Sequence, residues 1–152
     1  LPNGNNFTKE LETKFVNKKN KIIYISTLIE AEISLLDDDD KIEFIKDLGI
    51  SETGLSRLIK AGYTLLELIT FFTIGPKEAR AWTIEKGIQA SKAAGKIHTD
   101  IEKGFIRAET ISTIDYLNCQ GEAGAKESGK LRIEGADYIV KDGDIFNFRF
   151  NV

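Results

Sequence analysis

Three kinds of side chain in this sequence have the chemistry to make a site: one imidazole, one thiol and a run of four carboxylates. His98 and Cys119 are the single histidine and the single cysteine of the 152 residues. A zinc centre needs several such ligands in tetrahedral array, and one of each cannot build it. Nor do they make a nucleophile and base. Cys119, within Leu117-Asn118-Cys119-Gln120, reads as an unreactive surface or half-buried thiol. His98 precedes Thr99 and Glu102, which have the spacing of a capping box, so the imidazole reads as a polar group holding a turn. Asp37 to Asp40 read as a solvated helix start with one of them as its cap, ahead of a metal site. Hydrolysis of a nucleotide needs a glycine loop whose amides face the phosphates, with a lysine and a hydroxyl beside it. No glycine here stands in that pattern and no dinucleotide fingerprint occurs, so catalysis is not expected of this chain alone and no cofactor is assigned to it.

The elements that position these groups must be built from an ordinary composition. Lysine and arginine number 21 against 24 acidic residues, a net charge of -3, so attraction to nucleic acid would have to be local. The apolar runs fall short of the roughly 20 residues that span a bilayer, and no basic-then-apolar signal opens the chain. A lone cysteine suits a reducing compartment, so a cytoplasmic setting is expected. The opening Leu1-Pro2-Asn3-Gly4 and the absence of methionine read as a piece of a larger protein.

Phe7, Leu11, Phe15 and Val16 recur at helical spacing, predicting an amphipathic helix over 7–20. Lys21 to Ile25 follows as a short β-branched run, expected to be a strand of a parallel α/β sheet whose neighbours this chain lacks and whose free edges could pair with a second copy. Helices are expected from Leu28 to Leu36, from Lys41 to Leu48 with Gly49 as its stop, and from a Ser51 cap through Leu65. From Ile69 the texture changes to short β-rich segments between glycines. Thr70 to Thr73 and Glu78 to Ile84 flank Gly75-Pro76 as a hairpin, Ile88 to Ala94 is helical and ends at Gly95, and Phe105 to Ile111 is a strand. Thr113 to Asn118 is a helical turn and 121–129 a helix or loop, followed by strands at Lys130 to Glu134, Tyr138 to Val140 and Ile145 to Phe150. The last two are expected to form a hairpin through Lys141-Asp142-Gly143-Asp144. The fold class is therefore α+β. Its parts are helix and one strand of an α/β sheet over 1–36, a helical connector over 37–68 and a β-grasp over 69–152.

His98-Thr99-Asp100 and Lys141-Asp142-Gly143-Asp144 resemble the TGS module of threonyl-tRNA synthetase, certain GTPases and a stringent-response enzyme. Phe71-Phe72-Thr73, Arg80-Ala81-Trp82-Thr83, Ile97 to Glu109, Gly124-Ala125-Lys126-Glu127 and Asp137 to Val152 resemble the C-terminal end of the YchF or Obg-like ATPase family. The likeness runs back through Ile29-Glu30-Ala31-Glu32 and Arg57 to Tyr63, covering nearly the whole chain. It implies a ribosome-associated parent that binds ATP or GTP with magnesium and carries this TGS module, and it makes residues 1–36 the remnant of that parent's nucleotide-binding domain. It also implies that Ser26 and Thr27 lie near the purine base in that parent. The phosphate loop, switches and upstream base-recognition motif have no counterpart here. The expected role is a module that docks on RNA, the ribosome or the parent's own nucleotide domain, with Lys96, Lys103, Arg107, Lys130 and Arg132 as candidate contacts to phosphates. The alternative is a part of an ATPase that binds or hydrolyses nucleotide only together with the missing phosphate-loop region.

Overall fold

The computed structural model describes residues 5–15, 22–75 and 78–151, in two compact units, 1–65 and 66–152. Helix α1 (Asn6–Phe15) begins the first unit, and the remainder of the helix expected to Asn20 lies outside the described residues. Residues 22–26 belong to no ladder, which corrects the expected strand; Lys21 lies outside the described residues. A β-branched run favours extension, but a strand needs a partner to satisfy its N–H and C=O groups, and no other strand is described in this unit.

Helix α2 (Thr27–Leu35) follows, capped by Ser26, whose hydroxyl accepts from the Ile29 amide at 3.5 Å. Asp37 caps α3 (Asp38–Asp47) by accepting from the Asp40 amide at 3.0 Å. The helix starts three residues earlier than expected, because Asp38, Asp39 and Asp40 suit the positive end of its dipole. Gly49, at φ +66°, ends the run. Helix α4 (Gly54–Leu65) is capped by Thr53, accepting from the Ser56 amide at 3.1 Å, rather than by Ser51. Of the described residues of this unit, only Ile33 and Gly54 are buried, while Leu28, Leu35, Ile42, Leu55 and Ile59 are exposed.

The second unit is built on a five-stranded sheet. Strands β1 (Leu68–Ile74) and β2 (Ala79–Glu85) form the expected antiparallel hairpin. Helix α5 (Ala90–Ile97) runs past Gly95, and His98 separates it from the short α6 (Thr99–Lys103). Then come β3 (Phe105–Ser112), α7 (Thr113–Asn118), α8 (Glu122–Glu127), β4 (Arg132–Glu134) and β5 (Asp144–Phe150). The strand order is β2-β1-β5-β3-β4, with β5 parallel to β1 and antiparallel to β3. The order explains a further correction. Tyr138 to Val140 forms only a bridge, Gln89 with Ile139, because both sides of β5 are already taken by β1 and β3 and leave no room for the expected hairpin.

The period of two places Ile69, Phe71, Ile84, Ala108, Phe146 and Phe148 in the buried cluster with α5, which meets them with Ala90, Ala93 and Ala94. Three alanines on one helical face let the backbone approach the aromatic layer closely. The Phe71 ring lies 5.6 Å from Phe146 and 6.2 Å from Phe148, both nearly edge-on. Each such ring contributes roughly 1.5–3 kcal/mol by leaving water. No described helix is long and apolar enough to cross a membrane.

Candidate functional site

The loop read as a hairpin turn instead ties three strands together. Asp142 accepts the Thr70 amide at 2.8 Å, Gly143 donates to the Thr70 carbonyl at 2.8 Å, and the Thr113 amide donates to the Gly143 carbonyl at 3.0 Å. These bonds join the start of β1, the end of β3 and the entry to β5. Asp144 closes the arrangement from inside. It is 2 % exposed and accepts from the Tyr138 hydroxyl at 2.9 Å, the Lys141 amide at 2.9 Å and the Arg132 guanidinium at 3.2 Å. Arg132 also meets Glu134 at 3.3 Å. Burial first, and then donation to Asp144, push the Tyr138 phenol above its ordinary value.

His98 takes the structural part expected of it, by a different route. Its Nδ1 accepts from the Asp100 amide at 3.2 Å and so caps α6. The Thr99–Glu102 capping box does not form: Thr99 is already the first helical residue, and Glu102 pairs with Lys92. Gly104 then turns into β3 close against Asn151, where a Cβ would overlap the Asn151 carbonyl oxygen.

The five basic candidates are not gathered on one face. Lys96 and Lys103 are exposed on α5 and α6, and Lys130 lies before β4, 3.8 Å from Asp115. Arg132 is half-buried in the Asp144 network and is not the exposed cation the sequence suggested. Arg107 does lie on the sheet face away from α5, together with a residue the sequence reading missed. Arg149 stands directly opposite it across the β3–β5 ladder. Their common partner is Glu109, which accepts from Arg149 at 2.8 Å and stands 3.6 Å from Arg107. The hydrogen bond from Arg149 above all, with the charges of both arginines, holds the Glu109 carboxyl below its ordinary range against the opposing effect of burial. The alternation Phe146, Phe148, Phe150 was the available signal for Arg149, since a residue next to the core Phe148 in a strand must face the other way.

In the first unit, Ser26 lines a cavity of about 310 Å³ together with Tyr24, Glu30, Ser51 and Arg57 among others, whereas Thr27, the first residue of α2, does not line it. Glu30 reaches from α2 to the start of α4, accepting the amides of Gly54 at 2.7 Å and Leu55 at 3.3 Å. Arg57 donates to the Tyr24 carbonyl at 2.9 Å. The free amides at the start of α4 thus already hold a carboxylate. Among the described residues no group of three or more metal-ligating side chains converges.

The family model YchF-GTPase_C, described as a protein of unknown function (DUF933), matches residues 68–151. The chain belongs to this family. Over 131 residues it is 61 % identical to the ribosome-binding ATPase YchF of Pasteurella multocida, spanning 86 % of this chain and 36 % of that protein. Over 151 residues it is 48 % identical to the ribosome-binding ATPase YchF of Bacillus subtilis, spanning 99 % of this chain and 41 % of the relative. The solved structure of the Schizosaccharomyces pombe YchF GTPase superposes with a TM-score of 0.85 at 31 % identity, covering 97 % of this chain and 39 % of that one. The chain therefore spans about two fifths of the YchF proteins it matches and corresponds to their C-terminal part.

Proposed function

We propose that this chain is the non-catalytic C-terminal part of a ribosome-associated, Obg-like ATP- or GTP-binding protein of the cytoplasm. Its second unit is a β-grasp module of the TGS type that docks on RNA, the ribosome or the parent's nucleotide domain. The observation that carries the reading is the mixed sheet β2-β1-β5-β3-β4, packed by α5 on one face. On the other face Arg107, Glu109, Asn147 and Arg149 of β3 and β5 stand beside the buried Ile111 and Ile145. The names of the relatives support a ribosomal partner. Residues 1–36 are the end of the nucleotide domain, 37–68 a connector and 69–152 the docking module. With a net charge of -3, contact with RNA must come from local clusters, so ribosome binding by the chain weakens as salt rises. Co-sedimentation of the purified chain with ribosomes over a salt series tests this; absent or salt-independent binding contradicts it.

A second reading is supported by the cavity that Ser26 lines together with the ATPase names of the relatives. In it the chain completes a nucleotide site whose phosphate loop lies elsewhere in the parent, with ATP or GTP and magnesium bound there. Titration of labelled ATP with magnesium separates the two. Saturable, tight binding to this chain alone favours the second reading.

A further inference from the structure

We infer that Arg107 and Arg149 form a paired-guanidinium seat for one phosphodiester of an RNA strand, with Glu109 as the internal counter-ion that keeps the seat open when no RNA is bound. The inference rests on the docking function proposed above and assigns the point of contact.

Like charges directly opposite on neighbouring strands destabilise a ladder. Here Arg107 and Arg149 are direct partners on β3 and β5, two of the three inner strands of the sheet. A single carboxylate makes the pairing tolerable. Glu109 is 14 % exposed, whereas the two arginine side chains are 48 % and 50 % exposed. The acid is thus sunk between the bases, and the guanidinium edges that it does not use face solvent. Each guanidinium has five N–H donors, and Glu109 engages few of the ten, so donors remain for the oxygens of a phosphate. Glu122, at the start of α8, adds a weaker acidic field on the Arg149 side. An incoming phosphate must therefore displace or share carboxylate contacts, which suits modest, salt-sensitive binding.

A second feature of the backbone fits the same assignment. The β3–β5 ladder carries an irregularity between Phe105 and Arg107. One extra residue there lets Phe105 join the core, 6.0 Å from the Phe148 ring, while Arg107 keeps its place opposite Arg149. Ile106 in the bulge and Ile133, the β4 neighbour of Glu109, are both exposed beside the pair. Apolar surface next to paired donors suits a ribose and base flanking a phosphate better than an acidic peptide, which would bring a second line of charge.

The test uses the full chain and a short fluorescein-labelled single-stranded RNA, read by anisotropy over a salt series. Arg107→Gln and Arg149→Gln each weaken binding about tenfold, and each lowers the slope of log affinity on log salt by about 0.7. Glu109→Gln strengthens binding severalfold, since it removes the competing carboxylate; circular dichroism confirms that each variant is folded, and Glu109→Asp provides a milder replacement. If the unaltered chain binds this RNA and the arginine variants bind equally well, the seat is overturned while the docking function stands. If the unaltered chain binds no RNA, the RNA form of the docking function itself fails. A polyglutamate peptide that binds as tightly, with the same dependence on both arginines, overturns the phosphodiester assignment in favour of an acidic protein partner.

Discussion

Asp144 shows how a residue can be central to the fold yet look like part of a turn in the sequence. Lys141-Asp142-Gly143-Asp144 reads as a reversal between two strands, and the glycine encourages that reading. The structure instead uses the first aspartate to hold β1 and the second to hold Tyr138 and Arg132 from within. Removing a buried carboxylate leaves its cationic partner uncompensated, which costs about 3–5 kcal/mol when both are buried. Arg132 is 38 % exposed and recovers part of its hydration, so Asp144→Ala is expected to cost about 2 kcal/mol in urea denaturation. Glu109 makes a prediction in pH. Its carboxyl is held below the ordinary 4.5, so its stabilising contribution is present above that value and is lost as pH falls through the lower folded value. Thermal midpoints of the wild type and Glu109→Gln should differ at neutral pH and converge in acid. A constant difference across that range would contradict the Arg149 contact as its source.

Element by element, some helix ends were legible from a single residue, although α4 is capped by Thr53 rather than Ser51 and α5 runs past Gly95. Asp37 caps α3, Gly49 stops it and His98 holds the turn before α6, each through bonds to residues close by in the chain. Caps that come from afar were not legible. Glu30 reaches α4 across 24 positions, and no periodicity encodes that. Strands were found by alternation, but the pairing of Tyr138 to Val140 was misread because adjacency in sequence suggested a hairpin, while the central place of β5 forbids it. The strand order also predicts a gradient of protection. Amides of β5, paired on both sides, should exchange most slowly, and those of the edge strands β2 and β4 faster. Hydrogen exchange read by mass spectrometry checks this, and equal protection of β4 and β5 would contradict the ladder.

The whole molecule divides into two units of very different burial. The second packs four aromatic-rich strands against a small-residue helix face, whereas the first leaves most of its large apolar side chains in contact with water. Residues 22–65 are therefore expected to exchange faster and to be cleaved by protease before 68–151, and the reverse order would contradict this assignment of the stable core. The family could be read from motifs spread along nearly the whole chain. The site could not, because Arg149 and Glu109 gain their meaning only when β3 lies beside β5. The most direct test of the central claim is co-sedimentation of the purified chain with ribosomes from low to high salt. The account predicts a bound fraction that is clear at low salt and falls steadily as salt is added. A chain that stays in the supernatant at every salt concentration, or pellets equally at all of them, would contradict it.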